Sequence, residues 1–409
     1  MIVGASLAGQ RAAQAARRAG FDGELVVIGD EHRHPYTRPP LSKQLLAGEQ
    51  TEAQCELPWS KVDAEWRLGV PAVRLDRAAK AVVLLDGERV PYDRVIVATG
   101  ARARQWPGDG GVLEGVHTLR TLEDSLALRA ALGRCDRLVI VGAGFIGCEV
   151  AATARKLGLS VTVLDIAAHP LLPLGRELGA HCAEIHRGHG VDLRCATGVE
   201  SVLGNGRVQA VRLSDGSTLP ADLLLVALGA VPNSEWLADS GLTLDPGVVC
   251  HPTLTAVDDP DVLAAGDVAS HPHPLAGARH VRIEHWTTAS EHGLLAGSNA
   301  VLEPGERRPH TAVPYFWSDQ YDVKIQSVGF TNDAERIELI EATPDGARFV
   351  AAGVRDDRLV AAVAFNAARR LGWYRSQIAD RPTIEAVREL VRAEESALGV
   401  PNTQSRGAT

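Results

Sequence analysis

The chain has 409 residues, 45% hydrophobic and 23% charged, with a formal net charge of −9. That length supports two or three domains with substantial cores, and the acidic balance argues against a nucleic-acid-binding surface. No apolar run approaches the ~20 residues that cross a bilayer, and "MIVGASLAGQ" lacks the charged flank and cleavage site of a secretory signal.

The first twenty residues, "MIVGASLAGQRAAQAARRAG", read as a short strand, a Gly-rich turn and a helix stopped by Gly20. "ELVVIGDE" (24–31) is then a β-branched strand ending in acid. This is a βαβ unit whose turn reads Gly4-x-Ser6-x-x-Gly9, with serine at the middle glycine position, and Asp30 falls near the ~20-residue offset of a ribose-binding carboxylate. "PYTRPPLSK" (35–43) follows, a segment that proline stiffens against helix and that ends in Lys43. "RVIVATGARAR" (94–104) is a buried strand running into Thr99-Gly100, where bare backbone can approach a ligand. "TLRTLEDSLALRAAL" begins as a capped helix, with Thr121 ahead of Glu123 and Asp124.

"RLVIVGAGFIGCEVAATARKLGLSVTVLD" (137–165) repeats the first pattern with an intact Gly142-x-Gly144-x-x-Gly147. The helix that starts there offers free N–H groups and a positive dipole end to a pyrophosphate. Asp165 ends the next strand and suits ribose hydroxyls; an acid there repels a 2′-phosphate, and the following "IAAH" has no arginine, so NAD is favoured over NADP. "LLLVALGAVPN" (223–233) mirrors the earlier Thr99-Gly100 segment, and "DVLAAGDVA" (261–269) ends in Gly266-Asp267, whose carboxylate can accept from a ribityl chain. The histidines of "HPHPLAGARH" (271–280) alternate with prolines as in a loop, and no metal site is expected there. "ELIEATPDGARFVAAGVRDDRLVAAVAFNAARR" shows alternating strands with Asp-Gly and Asp-Asp turn signals, then a helix. Two dinucleotide units in one chain suggest FAD paired with NAD, since an oxidoreductase must bring a donor and an acceptor together. The cysteines at 55, 135, 148, 182, 195 and 250 show no CxxC or metal spacing and read as thiols of a reducing cytoplasm.

The order GxSxxG, "PYTRPPLSK", "ATGARAR", GxGxxG, "ALGAVPN", "AAGDVA" and "FWSDQY" (316–321) resembles the FAD-dependent NADH:ferredoxin reductases of bacterial oxygenase systems, from residue 1 to about 330. The resemblance implies an α/β fold of two Rossmann-like dinucleotide-binding domains in a glutathione reductase-like arrangement, with a C-terminal α+β interface domain. Its division would be an FAD domain at 1–107 and 234–313, an NAD domain at 108–233 and a C-terminal domain at 314–409. The implied FAD contacts are Gly4, Ser6, Ala8, Gly9, Asp30, Arg38, Lys43, Val73, Thr99, Gly100, Arg120, Asp267 and Trp286. For NAD they are Gly142, Gly144, Ile146, Gly147, Asp165 and Gly229.

Relatives that reduce disulfides carry a redox-active cysteine where this chain has "PPLSKQLLAG", and Cys55 stands beyond it without a partner. With no sulfur relay, the resemblance points to a [2Fe-2S] ferredoxin as acceptor, serving a haem monooxygenase or a Rieske dioxygenase. The resemblance places Lys43 beneath the isoalloxazine, where a fixed ammonium lowers the cost of negative charge arriving with hydride. It pairs Glu149 with that lysine and sets Trp317 near the exposed flavin edge. Hydride passes directly from nicotinamide C4 to N5 at ~3–3.5 Å. Arg279, Arg282, Arg307 and Arg308 are candidate contacts for an acidic ferredoxin. The rival of the same fold is a pyridine nucleotide-disulfide reductase or NADH oxidase; a rival of another class acts by binding, as apoptosis-inducing-factor-like flavoproteins do. No nucleic acid or membrane partner is expected, and the setting is cytoplasmic.

Overall fold

Two parallel sheets and one antiparallel sheet carry the chain in a computed structural model that describes residues 1–277 and 279–397. The first fingerprint folds as predicted: β1 (Ile2–Val3), α1 (Leu7–Arg18) and β2 (Val26–Ile28). β3 (Glu65–Arg67) and β4 (Val95–Val97) extend the sheet on either side. The second unit comprises β5 (Val116–His117), α2 (Leu122–Leu132), β6 (Arg137–Val141), α3 (Phe145–Lys156), β7 (Ser160–Leu164), α4 (Arg176–Gly188), β8 (Asp192–Arg194) and β9 (Leu223–Val226). The chain then returns to the first sheet with β10 (Val262–Ala264) and packs α5 (Trp286–Asn299) against α1.

The two sheets share one plan. The first runs β10-β4-β1-β2-β3 and the second β8-β7-β6-β9-β5, all parallel, each with its fingerprint strand in the middle. Continuous apolar runs such as "RLVIV" suit strands covered on both faces, and Leu138 to Val141 are buried. Both fingerprints therefore open at the carboxyl ends of central strands, where such sheets bind ligands.

The two chain crossings between the units are joined. Ala101–Ala103 pairs antiparallel with Ala230–Pro232, so the segments after "ATG" and "ALG" form one ribbon. Thr99 Oγ1 donates to the Asn233 carbonyl at 2.7 Å, and Asn233 Nδ2 donates to the Thr99 carbonyl at 2.9 Å. The predicted cap of α2 is present: Thr121 Oγ1 accepts from Asp124 N, and Asp124 Oδ2 accepts from Thr121 N.

The C-terminal part is a five-stranded antiparallel sheet, ordered β11-β12-β15-β14-β13, with two helices. The strands are β11 (Tyr315–Gln320), β12 (Val323–Gly329), β13 (Arg336–Ala342), β14 (Phe349–Arg355) and β15 (Arg358–Phe365), followed by α6 (Ala368–Asp380) and α7 (Ile384–Ala397). At the β14–β15 turn Asp356 and Asp357 both take positive φ (49° and 56°), the conformation of a primed hairpin turn.

Candidate active site

A cleft of about 640 Å³ opens at the carboxyl end of the first sheet and reaches the start of α3 in the second unit. Its floor is the first fingerprint. Gly4 has φ +116°, and a Cβ there would fall on the Ala98 carbonyl; Gly142 repeats this with φ +108° against the Ala227 carbonyl. The middle position is different in kind. Gly144 and Ser6 are both helix N-caps in extended conformation, at φ −74° and −94°, and no heavy atom lies within 4 Å of a Cβ built on Gly144. The serine that departs from the glycine pattern thus occupies the one fingerprint position whose backbone asks nothing special.

The cleft gathers most of the predicted FAD residues. Gly4, Ser6, Ala8, Asp30, Arg38, Lys43, Thr99, Gly100, Arg120, Asp267 and Trp286 line it, joined by Ile146, Glu149 and Trp317. Gly9 sits beneath it, against the Gly4 carbonyl. Val73 is not among the lining residues: it is 41% exposed, and its neighbours Pro71 and Ala72 line the wall, at a register irregularity between Ala72 and Arg74. Gly142, Gly144, Gly147, Asp165 and Gly229 belong to the separate mouth of the second sheet. There Asp165 Oδ2 accepts from Ala143 N at 2.6 Å and Oδ1 from Ala167 N at 2.7 Å, which fixes the carboxylate beside the turn.

One wall is polar. Arg120 Nη2 meets Asp267 Oδ2 at 2.5 Å, and Arg120 Nε donates to the Ala101 carbonyl. Arg38 donates to the Arg120 carbonyl and pairs with Glu31 at 2.7 Å, while Tyr36 Oη donates to Glu31. Burial, offset in part by the Arg38 guanidinium, holds the Tyr36 phenol in its neutral form.

The opposite wall carries the lysine. "PYTRPPLSK" folds into a short turn over Pro39–Ser42, and Lys43 Nζ lies 2.8 Å from Glu149 Oε2; their side chains are 10% and 4% exposed. The same carboxylate accepts from Ser42 Oγ at 2.5 Å and, on Oε1, from Ser318 Oγ at 2.7 Å. Thr153 Oγ1 donates to the Ser42 carbonyl, so α3 also grips the loop backbone. A buried ion pair needs this many donors because desolvation is only offset when every lone pair is engaged. Trp286 Nε1 donates to Thr37 Oγ1 at 3.1 Å, tying α5 to the same loop, and its ring meets Trp317 edge-on at 6.0 Å. His285, the N-cap of α5, has its pKa lowered to about 4 by burial, so this imidazole adds no charge to the cleft wall near neutrality.

Among the described residues, which include all six cysteines, no cysteine lines the cleft. Cys55 is fully buried elsewhere, and burial pushes its thiol up. Two expectations need correction. Arg307 is not a surface cation: it is 7% exposed and donates to Thr255 Oγ1 and the Pro260 carbonyl. Arg279 and Arg282 are engaged with Asp333 and Glu284, while Arg308 is exposed. "HPHPLAGARH" is not an open loop: His271 and His273 are buried, and His271 converges with His292 and His310. His271 Nε2 lies 3.0 Å from His310 Nδ1, and His292 Nδ1 accepts from Gly266 N. That bond leaves the hydrogen on His292 Nε2, so this imidazole presents a donor rather than a lone pair to the cluster.

Ser42, Ser318, Glu31 and Asn233 were missed by sequence reasoning. Ser42 and Ser318 stood inside motifs already singled out, but a serine carries no signal until its partner across the fold is seen.

Residues 1–293 match the model of the family described as pyridine nucleotide-disulphide oxidoreductase, and residues 315–393 match one described as reductase C-terminal. The chain is 37% identical to the ferredoxin–NAD(+) reductase component of the biphenyl dioxygenase system of Paraburkholderia xenovorans, over 94% of each protein. It is 38% identical to rhodocoxin reductase of Rhodococcus erythropolis, over 82% of this chain and 79% of that one. Among solved structures, the covalent putidaredoxin reductase–putidaredoxin complex superposes with a TM-score of 0.89 at 33% identity, covering 98% of both chains.

Proposed function

The chain belongs to the pyridine nucleotide-disulphide oxidoreductase family, and from that premise we propose the roles its residues play in moving electrons from NADH through FAD to a [2Fe-2S] ferredoxin that serves an oxygenase. It is an FAD- and NAD(H)-dependent ferredoxin reductase; its relatives are named ferredoxin–NAD(+) reductase components and putidaredoxin reductase. The observation that carries the reading is a cleft walled by a buried Lys43–Glu149 pair where a disulfide reductase needs sulfur.

The residues present fit the flavin nucleotide. The first fingerprint leaves α1's N-terminus facing a cleft of the right size for a cofactor. In our reading Gly4, Ser6 and Ala8 receive the pyrophosphate, Asp30 the adenosine ribose, and Asp267 with Arg120 the ribityl side. Gly142, Gly144, Gly147 and Asp165 hold NADH at the second mouth, with Ile146 and Glu149 reaching toward the shared cleft. Bound FAD supplies the chemistry, taking two electrons as hydride and releasing them singly. Lys43 keeps an ammonium fixed where negative charge develops, and Glu149 holds it there, so the site needs no reorganisation at the moment of transfer. Trp286 and Trp317 exclude water from the outer edge. In our reading the domains part at 107, 233 and 313, and the ribbon of Ala101–Ala103 with Ala230–Pro232 and the start of β11 at Tyr315 support that division. Among the described residues no helix is long and apolar enough to cross a membrane, and a cytoplasmic setting completes the proposal.

The test is anaerobic NADH titration of the purified flavoprotein followed by stopped-flow mixing with a [2Fe-2S] ferredoxin. Rapid one-electron reduction of the ferredoxin, with no turnover of dithiol substrates, is the expected result. Turnover of disulfides but of no iron–sulfur protein would reverse the assignment.

A further inference from the structure

We propose that the tip of the β11–β12 hairpin is a positioning device for Glu149, acting through a polarised chain of hydrogen bonds that runs from the cleft to α4. This rests on the reading of Lys43 and Glu149 as the polar wall of the flavin site.

The chain is continuous. Ser318 Oγ donates to Glu149 Oε1 at 2.7 Å; Gln320 Nε2 donates to Ser318 Oγ at 3.1 Å; Gln320 Oε1 lies 2.9 Å from His186 Nε2; and His186 Nδ1 lies 3.1 Å from Tyr321 Oη. Glu149, Ser318, Gln320 and His186 are all buried, so water does not complete these bonds. Each link also dictates the next. An ionised carboxylate only accepts, so the serine hydroxyl must donate to it and offer its lone pair to the glutamine amide. That orients the amide oxygen toward His186, which must then carry its hydrogen on Nε2. The imidazole Nδ1 becomes an acceptor, and the tyrosine hydroxyl donates. The direction of four groups is thereby set by the charge on Glu149.

The far end is anchored at a conformational cost. Tyr321 sits at φ +57°, in the left-handed region that a bulky residue rarely occupies. Its ring stacks on His189 with centroids 3.7 Å apart, and its carbonyl accepts from Lys156 Nζ of α3 at 3.4 Å. An asparagine or glycine would serve a plain hairpin tip better; the tyrosine supplies the hydroxyl and the stacking face that clamp the tip onto α4. Ser318, Gln320 and Tyr321 do not belong to either dinucleotide fingerprint. Through them the C-terminal sheet sets the carboxylate, and through the carboxylate the angle and fixity of the Lys43 ammonium.

The experiment is stopped-flow reduction of the FAD holoenzyme by NADH across a range of NADH concentrations, which separates the limiting rate from the NADH dissociation constant. Ser318→Ala should lower the limiting rate about tenfold, the scale of one lost bond to a charged group, with the dissociation constant unchanged. Ser318→Thr, which keeps the hydroxyl, should return the rate to within about twofold of native. Tyr321→Phe, which removes one oxygen at a half-buried tip, should cost about threefold, and the double variant Ser318→Ala/Tyr321→Phe should be no slower than Ser318→Ala alone, because serial links are not additive. A native rate in Ser318→Ala, or losses that multiply in the double variant, overturns the proposal. Should Ser318→Ala fail to retain FAD, Tyr321→Phe decides: a threefold loss supports it and a native rate ends it. Lys43→Met separates the two levels. If it slows reduction while Ser318→Ala does not, only the positioning chain falls; if neither does, the flavin-site reading falls with it.

Discussion

The two dinucleotide-binding units are built on one plan and differ in what covers them. In both, the fingerprint turn sits at the end of a central parallel strand, and its first glycine is forced by a neighbouring carbonyl. The first mouth is roofed by "PYTRPPLSK", by the start of α5 and by β11, giving a deep cleft with a polar wall and two tryptophans. The second presents Gly142, Gly144, Gly147 and Asp165 outside that cleft. A resident cofactor suits the first arrangement and an exchanging one the second, so on the proposed assignment it is the covering segments, not the fingerprints, that distinguish the two mouths.

The comparison is broken most sharply at the roof. Lys43→Met strips the buried Glu149 of its charge partner and should destabilise the protein by about 3 kcal/mol, since Ser42 and Ser318 remain as donors. Chemical denaturation against flavin fluorescence would measure it, and a loss below about 1 kcal/mol would mean the pair is solvated.

Next come the paired glycines. Gly4→Ala and Gly142→Ala carry the same backbone strain and the same carbonyl collision, and each should cost about 2–3 kcal/mol. Their functional signatures should part: Gly4→Ala purifies with reduced flavin content, whereas Gly142→Ala retains flavin and binds NADH more weakly. Equal flavin loss in both would erase the distinction between the two mouths.

Acid should also find the first unit before the second. Burial lowers the pKa of His271, His273 and His285 to about 4, against 6.5 when unfolded. Between those values the unfolded chain binds more protons than the folded one, so stability falls as pH drops from about 6.5 to 4. The melting temperature should decline across that window, with flavin release leading the loss of secondary structure. A flat melting temperature from pH 6.5 to 4 would show that these imidazoles titrate freely.

The smallest effect is expected at Ser6→Gly, which makes the two fingerprints identical. Because Ser6 already adopts the extended backbone of Gly144 and makes no capping bond, stability should move by only a few tenths of a kcal/mol. Calorimetry and flavin content together check this.

What the sequence made legible was whatever local chemistry dictates. The fingerprint turns, the proline-stiffened loop, the Thr121 cap and the Asp356-Asp357 turn each announce a backbone conformation within a few residues. What stayed hidden depended on distant partners. Nothing near Ser318 reveals that it faces a carboxylate brought by α3, and nothing near Arg307 reveals that Thr255 and the Pro260 carbonyl take it out of solvent. Val73 lies at a register irregularity between Ala72 and Arg74 that no neighbouring residue announces. The histidines of 271–280 look like a loop because prolines separate them, yet His292 of α5, His310 and the Ala312 carbonyl pack against His271 and His273.

The ribbon formed by Ala101–Ala103 and Ala230–Pro232 has a consequence for how such proteins diversify. It brings the two ends of the intervening parallel-sheet unit side by side, about 5 Å apart as in any antiparallel pair. A replacement module with neighbouring termini would fit that seam only if it also carried the groups that reach into the first cleft, since Glu149 pairs with Lys43, Thr153 holds the Ser42 carbonyl and Arg120 meets Asp267. The two halves can be joined at one seam, yet they are bound to each other by charge, so a change of one must be matched by the other.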